Sequence, residues 1–522
     1  MRLAVLLSAC ALLLSLLAAC GGGSAVSSSP AASPAEATVA RAPAPVAELP
    51  DIPAAAGPLD LRLTYPRLGA VQPDADSTFL FGTTGTGNAR LTINGTRIPL
   101  AANGAFVAYL PTAPQYVLAA STERTTVRDT FRYGQQVAPD RAVLLPEPRR
   151  ATVISGRDTL AAGSEILAGR PVPGGDRRWF FPIGTRLTVD ATLPGLARVR
   201  LAPDTHAWVT AAALRMHDTP PVPSSPVETP RFVSAPAFVD VRIPADFAPF
   251  DLTPESEAVG LTLYGRDASD APPIDAGGDG WLRAATWSRT APDASRLLLL
   301  LNRPLWGVKA FYESDGTLVL RLRRPPARGD DLQGLRIVVD AGHPPGGAIG
   351  PTGLREADAN LAIARRVAER LQSRGARVLM TRTSEAPLEN AAWTPDELWA
   401  RVDYAVRANA HLLVSIHNNA FPDGVNPFDN VGTEMYYFHP FAKPLATHLS
   451  EAIAPVTGLP NKGARRRSLA LVRPTWMPAV LTESLYLMMP QHEAALRDPA
   501  FLDRLADAHV RGIVAFVTAH TR

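Results

Sequence analysis

The pattern of apolar and polar positions changes character near residue 330. Before that point, short runs of alternating apolar and polar residues are separated by Gly, Pro and Asn, which predicts β-strands joined by turns. After it, short continuous apolar runs alternate with longer stretches in which apolar residues recur every three or four positions, the pattern of buried strands and amphipathic helices. The predicted fold class is therefore multidomain: small all-β domains, then a C-terminal α/β domain with a mostly parallel sheet and flanking helices.

Three β-rich segments precede the α/β domain. In residues 59–148, Asn94-Gly95 stands between two strand-like segments and predicts a hairpin, because a type I′ turn needs positive φ at both central positions. The repeated short strands there predict an Ig-like sandwich. Residues 149–217 loosely resemble a bacterial SH3-like module, for example at FFPIGT, residues 180–185. Alternating strands in residues 226–328 predict a further β-rich domain.

The last segment, residues 332–522, is the predicted α/β domain. Its apolar runs and helical repeats predict strands at residues 337–339, 376–381, 411–417, 435–438, 469–472 and 479–482, and helices at residues 361–371, 394–409, 445–453 and 501–517. The second of these helices begins with a capping box, TPDE, at residues 394–397.

The N-terminus has the pattern of a secretory signal peptide, predicted over residues 1–19, with Arg2 followed by an apolar stretch. Leu17-Ala18-Ala19-Cys20 resembles the lipobox of bacterial lipoproteins, which would make Cys20 the lipidated first residue and a membrane anchor. The alternative is an ordinary signal peptide with an incidental cysteine.

Residues 20–58 are rich in Ala, Pro and Ser and predict a disordered linker. The glycine after the lipobox cysteine favours the periplasmic face of an outer membrane if the cell has one, and otherwise the outer face of the cytoplasmic membrane.

Composition excludes several classes of protein and of site. With 46% hydrophobic residues and a net charge of +3, the chain is globular and carries no basic run that would indicate a nucleic-acid partner. The densest basic cluster, residues 465–467, predicts a solvated turn.

Both cysteines, Cys10 and Cys20, lie in the first twenty residues. Any metal in the folded part must therefore be held by His and carboxylates, which suits a catalytic zinc better than a structural one.

Two histidines and two glutamates stand at the ends of predicted strands or at a loop exit. His343 and His417 each follow an apolar run, Glu356 opens a helical pattern, and Glu483 ends the last strand. In open α/β sheets, ligands collect at the carboxyl ends of strands. Zinc hydrolases use three protein ligands and an open position for water, together with a general base. The sequence has no HExxH motif, so its ligands would have to come from distant segments.

Each of these residues also has a structural interpretation. His343 could bind loop carbonyls, Glu356 could be placed for the helix dipole, and Glu483 could pair with an arginine. The Asn418-Asn419 pair after His417 could be turn residues. Taken singly, these interpretations are favoured. In this order on an α/β pattern, the four residues together favour a metal site.

Residues 335–522 resemble the zinc-dependent N-acetylmuramoyl-L-alanine amidases of the Amidase_3 type. The resemblance rests on blocks in the same order: VVDAGH (338–343), GPTGLRE (350–356), NLAIA (360–364), TR (381–382), RAN (407–409), SIHNNA (415–420), GTE (432–434) and PAVLTE (478–483). It implies that His343, Glu356 and His417 bind one zinc ion, that Glu483 is the catalytic glutamate, and that peptidoglycan is the substrate. The bond cleaved would join N-acetylmuramic acid to the L-alanine of the stem peptide, in the cell envelope.

Two departures concern substrate contacts: Lys462-Gly463 replaces a common Arg-Gly, and Ser484-Leu485-Tyr486 follows the catalytic glutamate where Gly-Phe is commoner. No long insertion separates His417 from Glu483, which suggests a site that is open without an activator. Two alternatives stay open, a non-catalytic wall-binding lipoprotein and a zinc carboxypeptidase acting on stem peptides. The β domains could bind protein or wall partners.

Overall fold

The computed structural model describes residues 49–521, apart from residues 68, 74, 135–141, 157–165, 222, 277–279, 328 and 389–394. The predicted signal peptide, Cys20 and linker residues 20–48 lie outside the described residues. The described residues all belong to one compact unit, Val46–Arg522. Among them, no helix combines the length and the apolarity needed to cross a membrane.

The first β region consists of two antiparallel sheets around an aromatic and aliphatic core. Its strands are β1 (Arg62–Tyr65), β2 (Ser77–Thr83), β3 (Arg90–Ile93), β4 (Thr96–Ile98), β5 (Ala105–Pro111), β6 (Gln115–Ser121) and β7 (Thr126–Arg132). The sheet orders are β1-β2-β5 and β4-β3-β6-β7. Asn94 (φ 48°) and Gly95 (φ 81°) join β3 to β4, which confirms the predicted hairpin. The core contains Leu80, Phe106 and Tyr116, all with no exposed surface.

The second β region is built on a five-stranded sheet of order β13-β12-β11-β8-β14, with a separate β10-β9 hairpin. Its strands are β8 (Val143–Val153), β9 (Ile166–Gly169), β10 (Trp179–Pro182), β11 (Arg186–Leu193), β12 (Leu196–Ala202), β13 (Thr205–Thr210) and β14 (Leu214–His217). Strand β8 begins six residues before the predicted start of this region at residue 149.

The third β region pairs two four-stranded sheets, of orders β16-β17-β24-β23 and β18-β19-β22-β21. Its strands are β15 (Ser225–Pro226), β16 (Arg231–Ser234), β17 (Phe238–Pro244), β18 (Phe250–Pro254), β19 (Ala258–Tyr264), β20 (Arg266–Asp267), β21 (Leu282–Ala291), β22 (Ala294–Leu301), β23 (Gly307–Tyr312) and β24 (Thr317–Arg323). The region packs on the C-terminal domain: Trp306, at the approach to β23, is buried in the main core of that domain and donates a hydrogen bond from Nε1 to the carbonyl of His411 at 2.8 Å.

The C-terminal domain combines a six-stranded sheet with helices. Its elements are β25 (Arg336–Ala341), α1 (Glu356–Ser373), β26 (Arg377–Met380), α2 (Pro395–Arg407), β27 (Leu412–Asn419), α3 (Pro427–Asn430), β28 (Thr433–Tyr437), α4 (Lys443–Thr457), β29 (Asn461–Arg466), β30 (Ala479–Tyr486), α5 (Pro490–Ala495) and α6 (Pro499–His520). The sheet order is β26-β25-β27-β30-β28-β29, with β28 antiparallel to β30 and every other neighbouring pair parallel.

Both faces of this sheet are covered, as the continuous apolar runs require. Ile337 and Val339 of β25 face a core formed with α1, α4 and α6. Val338, between them, faces a smaller core with Val402 of α2. The alternation of strand side chains thus places a layer of helices on each side of β25.

Three sequence predictions need correction. Residues 469–472 were expected as a strand, but residues 470–472 form a 3-10 turn, because a four-residue apolar run also fits a short buried turn. Residues 465 and 466 were expected in a solvated turn and instead lie in edge strand β29, whose polar sequence gave no strand signal. The linker was expected to reach residue 58, but Ala55 already hydrogen-bonds Ala102 in the first β region.

A buried histidine makes the stability of this domain depend on pH. His509 of α6 has no exposed surface, and its two ring nitrogens lie 2.8 Å from the Leu505 carbonyl and 3.2 Å from Thr482 Oγ1. Burial lowers the pKa of His509 to about 4 from 6.5. Because the pKa is lower in the folded state, the unfolded state binds the proton first as the pH falls below 6.5. The free energy of unfolding therefore decreases as the pH falls towards 4, by about 2 kcal/mol at pH 5.

We therefore expect the fall in unfolding free energy between pH 7 and pH 5, measured with urea, to shrink in a His509→Gln variant. His520→Gln is the matched control, because His520 makes the same contact with the carbonyl four residues earlier in α6 but is partly exposed. An unchanged pH dependence in the His509 variant would contradict the assignment.

Candidate metal centre and catalytic glutamate

The fold brings the four predicted site residues to one edge of the sheet. His343 follows β25, and His417 lies near the end of the neighbouring parallel strand β27. Glu356 is the first residue of α1. Glu483 lies on β30, directly opposite His417 in the register of the β27–β30 pair. All four therefore meet at the carboxyl ends of parallel strands, the expected place for a ligand site.

The candidate metal centre consists of His343, Glu356 and His417, whose ligand atoms all lie within 4.8 Å of one another. His343 Nε2 is 3.3 Å from Glu356 Oε2, and His417 Nδ1 is 3.1 Å from Glu356 Oε1. Zinc bonds of about 2.0–2.1 Å at tetrahedral angles place neighbouring ligand atoms about 3.3 Å apart. Two imidazole nitrogens and a carboxylate at this spacing fit a zinc site with an open fourth position.

Backbone contacts decide which ring nitrogen of each histidine faces the cluster. His343 Nδ1 lies 3.1 Å from the Pro345 carbonyl, so Nδ1 carries the proton and Nε2 is left for a metal. The His417 ring lies flat against Gly342: a Cβ built on Gly342 would be 2.2 Å from His417 Nε2. Nδ1 of His417 is therefore the nitrogen that points to Glu356.

Contacts of its carboxylate hold Glu356 in the cluster, so its place at the start of α1 does not serve the helix dipole alone. Its side chain is 6% exposed, and its Oε2 accepts a hydrogen bond from the Ala348 backbone N–H at 2.8 Å. Burial by itself would raise the pKa of Glu356, but hydrogen bonds and positive charge from His343 and His417 outweigh burial and hold it well below its usual range. The carboxylate is thus ionised, as a metal ligand must be.

Glu483 has a different environment from Glu356. Its Oε2 is hidden from solvent and has no hydrogen-bond partner among the described residues. Burial, reinforced by the negative charges of Glu356 and Glu434, raises the pKa of Glu483 well above its usual value. A carboxyl group with a raised pKa and an unpaired oxygen beside a metal site is the expected form of a group that exchanges protons.

Asp340 and Arg401 form a buried ion pair that supports the loop carrying His343. Asp340 is fully buried and accepts hydrogen bonds from Arg401 Nη1 at 2.9 Å and Thr381 Oγ1 at 2.6 Å. Burial opposes ionisation, but the charge of Arg401 and the hydrogen bonds from Ser415 and Thr381 together outweigh burial and lower the pKa of Asp340. Arg401 also donates to the carbonyl of Pro344 at 2.6 Å and so fixes the loop that carries His343.

The loop between His343 and Glu356 is also held by residues that the sequence pattern did not reveal. Glu493 of α5, with its side chain 1% exposed, accepts hydrogen bonds from the backbone N–H groups of Thr352 and Leu354, at 2.9 Å each. A buried glutamate in a short helix gives no signal of this role in the sequence, because its partners are backbone groups about 140 residues away. Arg401 had one signal, a charge between apolar neighbours on the predicted helix.

A second carboxylate, Glu434 of β28, lies opposite Glu483 in the β28–β30 pair. Its Oε1 accepts hydrogen bonds from Tyr486 Oη at 2.9 Å and Asn419 Nδ2 at 3.0 Å, and its Oε2 is 3.2 Å from Arg465 Nε. Asn419 therefore has a partner in the sheet rather than a place in a turn. This arrangement fixes Glu434 as the charged neighbour of Glu483.

A substitution at Gly342 tests the orientation of the His417 ring. A Gly342→Ala substitution places a methyl group inside contact distance of the His417 ring, so we expect the ring to rotate out of the cluster and metal affinity to fall about 10- to 100-fold, the cost of losing the support of a ligand. The check is zinc affinity by competition with a chelating dye. Gly134→Ala is the control, because a Cβ there meets its nearest atom at an ordinary 3.5 Å. Unchanged affinity in the Gly342 variant would contradict the ring placement.

Comparison with known proteins finds an amidase family over the same part of the chain. The family model described as N-acetylmuramoyl-L-alanine amidase (Amidase_3) matches residues 337–515, which contain all four site residues. The germination-specific N-acetylmuramoyl-L-alanine amidase of Bacillus subtilis is 30% identical over 198 residues, 36% of this chain and 81% of that protein. The chain belongs to this amidase family.

Further amidases are similar over the same part of the chain. The N-acetylmuramoyl-L-alanine amidase LytC of Bacillus subtilis is 31% identical over 189 residues, 35% of this chain and 36% of that protein. Among solved structures, the catalytic domain of the amidase CwlV from Bacillus (Paenibacillus) polymyxa var. colistinus is 32% identical, covering 35% of this chain and 98% of that one, with a TM-score of 0.31. The family match identifies the C-terminal domain of this amidase as its catalytic domain and leaves the β regions outside the matched residues.

Proposed function

We propose that this amidase hydrolyses peptidoglycan at the amide bond between N-acetylmuramic acid and the L-alanine of the stem peptide, with one zinc ion held by His343, Glu356 and His417. The observation that carries the proposal is the convergence of three ligand atoms within 4.8 Å, in a domain that belongs to the amidase family. When bound, the zinc ion would lower the pKa of a water molecule to about 7 and polarise the carbonyl under attack.

The chain itself supplies proton transfer and orientation. Glu483 takes the proton from the attacking water and donates it to the leaving nitrogen, so that the lactyl carboxylate and the amino group of L-alanine are released. The hydrogen bond from Ala348 N–H holds the Glu356 carboxylate, and Gly342 allows the His417 ring to lie flat against the backbone. The negative charge of Glu434, opposite Glu483, favours the protonated form of Glu483 after the proton is taken.

We propose that the amidase is a lipoprotein of the cell envelope. The lipobox at Leu17-Ala18-Ala19-Cys20 supports a lipid anchor on Cys20 after removal of the signal peptide. The glycine that follows the cysteine supports the periplasmic face of an outer membrane. The first and second β regions are proposed to be Ig-like and SH3-like modules, which the two-sheet and five-stranded arrangements support, and to bind wall or protein partners.

Product analysis tests this function against the two alternatives. Purified sacculi are digested with the mature protein, and the soluble products are identified by mass spectrometry. Free stem peptides that begin with L-alanine, beside glycan with intact lactyl groups, are the expected products. Peptides shortened at the carboxyl end would identify a carboxypeptidase, and no soluble product with retained sacculus binding would identify a non-catalytic wall-binding protein.

A further inference from the structure

The first β region touches the loop that joins His343 to Glu356. Arg67 Nη2 donates a hydrogen bond to the Gly347 carbonyl at 3.3 Å, and Thr64 Oγ1 donates to the Pro351 carbonyl at 3.4 Å. Gly347 lies directly on the His343 ring, since a Cβ built there would be 2.9 Å from it. A side chain of the β region is thus separated from a candidate metal ligand by one residue.

The same region also holds the loop that follows His417. Asp423 of this loop accepts hydrogen bonds at both of its carboxylate oxygens, from Tyr65 Oη at 2.7 Å and from Thr78 Oγ1 at 2.5 Å. Tyr109 Oη donates to the neighbouring Gly424 carbonyl at 3.2 Å. Hydrogen bonds to a charged acceptor are among the stronger ones, so Asp423 is the main polar anchor of this contact.

An apolar cluster continues the contact towards Glu483. Tyr65 stacks on Phe79 and Phe81 of β2, at ring distances of 5.0 and 5.5 Å. Phe81 belongs to the same cluster as Tyr486 and Phe421, whose rings stack at 4.1 Å. Phe421 is in the Asp423 loop, and Tyr486 binds Glu434, the charged neighbour of Glu483.

These contacts place the first β region on the side of the sheet where a substrate must arrive. Both loops leave the carboxyl ends of parallel strands β25 and β27, the edge at which all four site residues meet. Contacts with both loops that border the metal centre are more than the attachment of a neighbouring domain requires. The first β region therefore lies close to the two loops that border the metal centre.

We propose that the first β region is part of the substrate-binding surface for polymeric peptidoglycan, and that Asp423 is the positioning residue through which it orders the loop of residues 420–426. The proposal rests on the amidase activity proposed above. It assigns the first β region to recognition of the glycan strand beside the cleaved bond.

The test compares Asp423→Ala with the wild-type full chain loaded with zinc, on soluble glycan strands that carry stem peptides. We expect KM to rise about tenfold, equivalent to about 1.4 kcal/mol, with kcat within about twofold and zinc content unchanged. Amide hydrogen exchange of residues 420–426 should become faster in the same variant. In Asp423→Asn the amide oxygen can still accept from one of the two hydroxyls and the amide nitrogen can donate to the oxygen of the other, so this variant should restore most of the wild-type KM.

Tyr116→Phe is the matched control for the loss of a tyrosine hydroxyl, because Tyr116 Oη bonds Pro111 inside the first β region. Tyr65→Phe makes the same change at the Asp423 contact, and it should raise KM in the same direction even if Asp423→Ala fails to fold. A fall in kcat at constant KM would mean a merely structural contact and would overturn the proposal, as would unchanged KM and exchange. Should the wild-type protein release no stem peptides, the proposed function fails, while hydrogen exchange still decides whether Asp423 orders the loop.

Discussion

Replacement of Glu483 by Gln is expected to lower kcat for stem-peptide release by about 10²- to 10⁴-fold, the contribution of one general acid–base group. Gln has the shape of Glu but cannot accept and return a proton. Glu483 Oε2 has no hydrogen-bond partner among the described residues, so the substitution breaks no hydrogen bond at that oxygen. Zinc binding should therefore stay at one ion per chain, measured by atomic emission on the dialysed protein.

Glu313→Gln serves as the control for the removal of a carboxylate. Glu313 is in the third β region, where it pairs with Arg242, and its loss should leave kcat unchanged. If Glu483→Gln retained more than about a tenth of the wild-type kcat, another group would have to be the base. If it lost zinc as well, Glu483 would belong to the metal centre itself.

Substitution of His417 by Ala is expected to lower zinc affinity by more than about 100-fold, beyond the cost of removing a supporting hydrogen bond to a ligand, and to abolish turnover with it. Only His343 and Glu356 would remain of the donor set identified in the described residues. Zinc titration of the apoprotein measures the first effect, and sacculus digestion measures the second.

His411→Ala is the matched control, since His411 begins the same apolar run and is buried, but accepts a hydrogen bond at Nδ1 from the Arg336 backbone N–H, away from the site. Burial and two nearby arginines lower the pKa of His411 to about 3, so it is neutral like a metal ligand. We expect this variant to bind zinc normally even where it is less stable. Equal zinc loss in both variants would mean that the loss reflects unfolding rather than ligation.

Much of the catalytic domain was predictable because its signals are local. The apolar run before His343 and the helical repeat after Glu356 define β25 and α1 without tertiary information. Ligand residues at strand ends then follow from the rule that parallel strands share one functional edge. The missed strand β29 has the sequence NKGARR, and its pairing with β28 is determined by the sheet rather than by its own residues.

The supporting residues could not be predicted in the same way. Asp340 and Arg401 are separated by 61 positions, and nothing in either local pattern shows that one neutralises the other. Glu493 accepts hydrogen bonds from the backbone of a distant loop, and Asp423 accepts them from side chains of the first β region. These groups come together only when the chain folds. Sequence patterns predict elements and exposed chemistry well, but not the long-range polar contacts that orient a site.

The most direct measurement is digestion of peptidoglycan by the zinc-loaded amidase in ¹⁸O-labelled water, followed by mass spectrometry of both product halves. We expect one ¹⁸O atom in the lactyl carboxylate of N-acetylmuramic acid and an unlabelled stem peptide with a free L-alanine amine, both absent after removal of zinc and restored by its return. Label at a new carboxyl end of the peptide, or release that persists without metal, would contradict this expectation.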